Sequence, residues 1–213
     1  MTTGERRPYK REGKDVRRET MIAAALELIA EGGIAAATVR AIAEKAGVTP
    51  GLIRHYFKAK EDLTRAAYQS LMERMTQASA LVLETAPDGA VARLAAFVAA
   101  SLRPPVVDPA AMGLWAGFIH RVQSDPEIRD VHRTTYLGYR DVLQGLIADL
   151  PRKVDAAQLR ADAIACNGVI DGLWLEGCAL PEAFVKDELA EIGLRSVGAI
   201  LGVNLFSEVG LGS

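Results

Sequence analysis

The chain has few of the residues that staple, ligate or anchor: two cysteines, three histidines and 6% aromatic side chains among 213 residues. Cys166 and Cys178 stand 12 residues apart in one predicted helix. That spacing separates them by roughly 120° around the helix axis and about 18 Å along it, so they can neither form a disulfide nor share a metal ion. His55, His120 and His132 fall in separate predicted helices. No nucleophile elbow, phosphate loop or Cys-His cluster accompanies them, so an enzyme is not expected, and neither is a metal or a cofactor. No apolar run approaches the roughly 18 residues that would span a bilayer. The opening MTTGERRPYKREGKDVRRET also lacks the apolar core of a secretory signal. A cytoplasmic protein without a membrane part is the expectation. Period-2 alternation, internal repeats and low-complexity stretches are missing too.

Half of the residues are apolar, and they recur at spacings of 3 and 4 between short breakers, the pattern of an all-α protein. The first helix is expected over 15–31, with Ile22, Leu26 and Ile29 on one face and Gly32-Gly33 as its stop. Thr38 caps a short helix to Ala46 and Gly47 supplies the turn. Thr49 then caps a third helix that has Pro50 at its first position and ends near Tyr56. A fourth helix is expected over 60–85. Five more follow, over 88–102, 109–123, 125–150, 155–180 and 181–201, with prolines at their breaks.

Charge is distributed unevenly: residues 1–60 hold 12 Lys or Arg against 7 Asp or Glu, and the remainder holds 13 against 20. Such asymmetry fits either a basic part that meets a polyanion or a solvated charged tail. The two short helices joined at Gly47-Val48 favour the former, because their lengths and punctuation fit a helix-turn-helix whose second helix enters the major groove. Val48, Leu52 and Ile53 are then anchors, while Thr49, Pro50, Gly51, Arg54 and His55 face outward. Arg54 can pair with a guanine edge or a phosphate, and Thr49 can offer its hydroxyl and methyl to a base. Thr38, Arg40, His55, Tyr56, Lys58 and Lys60 are candidates for phosphate contacts. Arg6, Arg7, Lys10 and Arg11 can follow the backbone or a minor groove. Taken singly, each of these residues also has an ordinary reading as a cap, core edge or solvated side chain.

The stretch TVRAIAEKAGVTPGLIRHYFKAKEDL, residues 38–63, resembles the DNA-binding motif of the TetR family of transcriptional regulators. The resemblance implies a homodimer that binds a double-stranded operator with two related half-sites, through a three-helix N-terminal domain. It also implies a larger helical domain that binds a small molecule and dimerises. The chain accordingly divides into a flexible basic tail over 1–14, a DNA-binding domain over 15–60 and an effector domain over 61–213. A helical protein-interaction module that binds no DNA is the rival reading, and it leaves the features between Thr38 and Lys60 without a purpose.

Within the expected effector domain, Gly168, Gly172 and Ala179, with Ile164 and Leu175, suit close helix contact, and Leu189, Ile192, Val197 and Ile200 form a second apolar stripe. These stripes serve either a dimer bundle or the subunit's own core. Asn167, Asp171, Trp174 and Cys178 share another face at spacings of 4, 3 and 4. Their polar groups need partners, either from neighbouring helices or from a ligand cavity to which Phe97, Met112, Trp115, Phe118, Tyr136 and Tyr139 contribute. Aromatic faces with a carboxylate suit a quaternary ammonium ion. The stretches LWAGFIHRVQSDPEIRDVHRTTYLGYRDVL and VIDGLWLEGCAL resemble the BetI-type branch, repressors of choline-to-betaine genes, with Glu176-Gly177-Cys178 as a departure. That resemblance makes choline a candidate effector; an aromatic or apolar molecule is the alternative.

Overall fold

The computed structural model describes residues 9–208, and among them every regular element is helical: α1 (Tyr9–Ala36), α2 (Val39–Lys45), α3 (Pro50–Tyr56), α4 (Lys60–Leu81), α5 (Ala90–Ser101), α6 (Pro109–Ile119), α7 (Pro126–Ala148), α8 (Ala156–Ala179) and α9 (Glu188–Leu201). Arg6 and Arg7 of the expected basic tail lie outside the described residues, whereas Lys10 and Arg11 fall within the opening turns of α1. That helix therefore starts six residues before the expected Asp15. Its helical geometry breaks where the glycine pair requires it: Gly33 has φ 72°.

The N-terminal caps follow the sequence. Thr38 Oγ1 accepts from Ala41 N at 3.1 Å and Thr49 Oγ1 from Leu52 N at 3.2 Å. Asp108, Asp125 and Asp155 do the same for α6, α7 and α8, each satisfying N–H groups that a helix leaves free. Between α2 and α3 the chain reverses through Gly47, φ 65°. There Val48 N–H bonds Ala43 O at 2.9 Å and Gly47 N–H bonds Glu44 O at 3.2 Å, the paired bonds of a Schellman end.

Two apolar clusters organise the molecule. The first joins Ile22, Leu26 and Ile29 of α1 with Ile42, Ile53 and Phe57, and continues into Leu63, Tyr68 and Leu71 of α4 and Phe118 of α6. The second gathers Leu94, Phe97 and Val98 of α5 with Leu143 and Ile147 of α7, Cys166 and Ile170 of α8, and Leu194 and Val197 of α9. The first cluster thus packs the helix-turn-helix directly onto α4 and α6, and the second holds the larger body together. Both cysteines are free and buried.

The final helix departs from the sequence expectation. Pro181 opens a 3₁₀ turn, Pro181–Ala183, and α9 begins only at Glu188. Asp187 adopts a left-handed φ of 67° while its carboxylate accepts from Arg103 Nε at 2.6 Å, so a partner 84 residues distant supports this break. Within α9, Leu189 and Val197 are 8% and 0% exposed; they face α5 and α8 and do not belong to an outer stripe. α4 also ends early, passing at Val82–Glu84 into a 3₁₀ turn.

Near the end of α9 the chain folds back so closely that a Cβ on Gly198 would lie 2.6 Å from the Val203 carbonyl oxygen. The backbone cannot yield as a side chain can. Gly198→Ala is therefore expected to cost about 1–3 kcal/mol, read as a lower denaturant midpoint at unchanged slope.

Candidate functional site

The outer face of the N-terminal unit is built around α3. Ile53 is 2% exposed, and Val48 and Leu52 pack partly buried on the same core, which fixes the opposite face outward. Thr49, Pro50, Gly51, Arg54 and His55 are all exposed. Thr38 and Arg40 are exposed at the start of α2, and Lys58 lies just beyond α3. Lys60, half-buried, is the first residue of α4. Its helix start is ordered by Asp62, which accepts from Ala59 N at 3.0 Å. Tyr56 is half-buried with Lys14 Nζ over its ring at 5.9 Å, and Arg18 stands over Phe57 at 5.5 Å. α1 thus brings two cations beside the end of α3, a contribution unmarked in the motif.

In the larger body a cavity of about 390 Å³ lies between α4, α5, α6, α7 and α8. Of the residues proposed for it from sequence, Trp115, Tyr136, Tyr139, Asp171 and Trp174 line the wall. Asn167 stands behind them: its Nδ2 donates to Tyr136 Oη at 2.7 Å and to Asp171 Oδ2 at 2.8 Å. Phe97, Phe118 and Met112 are not in the wall. Phe97 is fully buried with its ring 5.1 Å from that of Tyr139, Phe118 is fully buried and stacked on Tyr68 at 4.7 Å, and Met112 is half-buried on α6. The structure adds Met72, Met75 and Thr76 from α4, Ser101 from α5 and His132 from α7. His132 and Tyr136 are four residues apart on one helix face, a spacing that could have revealed the histidine.

Polar groups on the wall are held firmly. Tyr136 Oη donates to Asp171 Oδ2 at 2.5 Å, Trp174 Nε1 donates to the Val106 carbonyl at 2.9 Å, and Tyr139 Oη and Ser101 Oγ are hydrogen-bonded at 2.7 Å. Trp115 meets Trp174 edge to face, ring centroids 5.8 Å apart. Burial raises the Asp171 carboxyl above its ordinary range, although Tyr136, Asn167 and His132 pull it back. Burial and the bond to Asp171 push the Tyr136 phenol up to about 12. A charged Asp171 inside this apolar enclosure is costly, and a cation beside it relieves the cost.

His132 connects the cavity to α4. Its ring stacks on Tyr136, centroids 5.4 Å apart, and Nδ1 lies 2.8 Å from Tyr68 Oη. Tyr68 is fully buried in the N-terminal cluster, so the hydrogen bond between phenol and imidazole ties the cavity wall to that cluster. Burial lowers the His132 pKa below its ordinary 6.5, with Asp171 opposing. A lowered histidine contributes stability that is complete above 6.5 and is lost as pH falls through the folded value. Thermal unfolding of His132→Asn is therefore expected to lose less of its midpoint than wild type on acidification from neutral pH. An equal loss in both proteins would remove His132 from the acid response.

An exposed helix ordered by a tight glycine turn, packed onto a larger helical body with an aromatic cavity, defines a helix-turn-helix transcriptional regulator. Comparison with known proteins assigns the family. Residues 21–67 match bacterial regulatory proteins of the tetR family, and residues 90–202 match the C-terminal domain of BetI-type transcriptional repressors. The chain belongs to the TetR family and carries a BetI-type C-terminal domain. It is 33% identical over 170 residues to the HTH-type transcriptional regulator BetI of Serratia proteamaculans, covering 79% of this chain and 84% of that protein. Identity to BetI of Escherichia coli O45:K1 is 31% over 174 residues, covering 81% and 88%. A transcriptional regulator of Pseudomonas aeruginosa PAO1 has a similar crystal structure, with TM-score 0.79, 31% identity and coverage of 89% and 92%. The protein is a DNA-binding transcriptional regulator and not an enzyme. That excludes the interaction-module reading. No helix among the described residues is long and apolar enough to cross a membrane.

Proposed function

We propose that the protein is a homodimeric, ligand-responsive repressor, acting in the cytoplasm, that binds a palindromic operator and releases it when a small organic cation fills the cavity. The observation that carries the ligand class is the wall itself: among the described residues Asp171 is its only carboxylate, set among two tryptophans, two tyrosines and His132. Ring faces attract a cation that cannot donate hydrogen bonds, and a partly desolvated carboxylate adds charge attraction. Choline is the candidate, supported by the BetI-type C-terminal domain. A cavity of about 390 Å³ lies within the usual range for small-molecule sites. Its size and the Met72 and Met75 side chains favour a second reading, a larger aromatic or apolar effector.

α3 reads the major groove with Arg54 and Thr49, while Thr38, Arg40, Tyr56, Lys58 and Lys60 hold phosphates. Dimerisation through α8 and α9 sets the separation of the two recognition helices. Ligand then favours a conformation whose separation no longer fits successive major grooves, a shift of population transmitted by α4. Both tryptophans of the chain line the cavity, so intrinsic fluorescence reports its occupancy. A saturable change at up to millimolar choline supports the cation reading. No change withdraws choline and moves the search to larger aromatic ligands.

A further inference from the structure

Four rings form one stack from the core of the N-terminal unit to the cavity wall. Phe118 lies on Tyr68 with centroids 4.7 Å apart, Tyr68 on His132 at 6.3 Å and His132 on Tyr136 at 5.4 Å. Phe118 and Tyr68 are fully buried in the cluster that also holds Ile42 and Ile53 of the helix-turn-helix, while His132 and Tyr136 line the cavity. Two polar links join α4 to α7 among the described residues. One is the bond between Tyr68 Oη and His132 Nδ1 at 2.8 Å, and the other joins Arg65 to Glu127. Arg65 also bonds Asp62 at 3.4 Å, and Asp62 holds Ala59 N, at the start of α4 and three residues beyond the end of α3. Apolar contacts alone let two helices slide, but a hydrogen bond constrains both distance and direction. Tyr68 Oη has no other partner among the described residues, and a buried phenol without one is costly. A displacement of His132 is therefore followed by Tyr68. At the cavity end Tyr136 both stacks on His132 and donates to Asp171, so a group bound at Asp171 acts on the stack directly.

We infer that Tyr68 and His132 are the positioning residues that couple the cavity to the helix-turn-helix: their hydrogen bond makes α4 follow α7, and the Arg65–Glu127 pair carries the same movement to the start of α4. This rests on the ligand-responsive repressor proposed above and adds the residues that transmit its response. Coupling between two sites is reciprocal. Operator on α3 must therefore alter the cavity through the same bond, and the coupling can be read from the DNA side with no effector present.

Acrylamide, a small neutral quencher, provides the test, because Trp115 and Trp174 are the chain's two tryptophans and both line the cavity. They belong to α6 and α8, so DNA lying on α3 does not shield them. In wild type the Stern–Volmer constant should differ between the free protein and the protein saturated with an operator selected from random DNA. Tyr68→Phe keeps the ring and its stacking and deletes only the hydroxyl. It should bind the same operator with unchanged affinity, keep its helical circular dichroism, and lose the difference in quenching. A merely structural role for Tyr68 would lower stability and leave that difference in place, which would overturn the coupling. Should Tyr68→Phe fail to fold, Glu127→Gln cuts the second link at an exposed side chain and should shrink the difference; an undiminished difference there would also overturn it. A wild type whose quenching is the same with and without operator would leave no coupling to transmit. Failure to select any operator would instead overturn the repressor reading itself, whereas failure of choline to bind touches neither result.

Discussion

Arg54→Ala should abolish specific operator binding while leaving the ligand cavity and thermal stability as they are. Arg54 is exposed on α3 and its side chain makes no hydrogen bond or ion pair among the described residues, so the fold does not depend on its guanidinium. A bidentate arginine–guanine pair discriminates by about 1–3 kcal/mol. A dimer reading two half-sites loses it twice, about 2–6 kcal/mol, and operator affinity falls roughly thirtyfold or more. Lys58→Ala should behave differently. Lys58 lies beyond the end of α3 and is proposed as a phosphate contact, so affinity should drop alike for all sequences and the salt dependence should become shallower. Fluorescence anisotropy with operator and scrambled DNA at several salt concentrations separates the two. Loss of ligand response together with DNA binding in Arg54→Ala would instead indicate a folding defect.

The second large effect is expected at Asp171. Asp171→Asn keeps the shape and an oxygen to accept from Tyr136, but it removes the only carboxylate of the wall among the described residues. The quaternary ammonium donates no hydrogen bond, so the loss is Coulombic, about 1–4 kcal/mol for charges about 4 Å apart between bulk water and a partly desolvated site, and choline affinity should fall from about fivefold to several hundredfold. Burial raises the Asp171 pKa in the empty protein, and a raised carboxyl contributes stability below its unfolded value that is lost as pH rises through the folded one. Two further outcomes follow. Asp171→Asn should be at least as stable as wild type at neutral pH, and choline affinity in wild type should increase as pH rises through the raised value. In Asp171→Asn that pH dependence should vanish. Unchanged affinity in the variant would assign cation recognition to the aromatic rings alone.

How much of this was legible in the sequence depends on whether the signal was local. Thr38, Gly47, Thr49 and Pro50 mark their own turns through caps, a left-handed glycine and a fixed φ, and the motif between them appears in the structure with the expected exposure. The late start of α9 was illegible because the left-handed Asp187 pairs with Arg103, far away in sequence. The cavity was legible by residue type and only partly by position. Aromatics on α7 and α8 could be aligned by spacing, but whether Phe97 and Phe118 face a void or a neighbour is decided by tertiary packing, and both are buried against tyrosines. Met72, Met75 and Thr76 come from α4, the helix proposed above as the lever between the cavity and the recognition helices. Their presence in the wall gives that lever a surface on which a ligand can press. Leu189 and Val197 likewise carry no mark that separates an inner stripe from an outer one.

The most direct measurement is a choline titration of the protein bound to its selected operator, following tryptophan fluorescence and DNA anisotropy in the same cuvette. A saturable fluorescence change with operator release over the same concentration range is the expected result. A saturable fluorescence change with operator affinity unmoved would contradict a cavity that controls DNA binding.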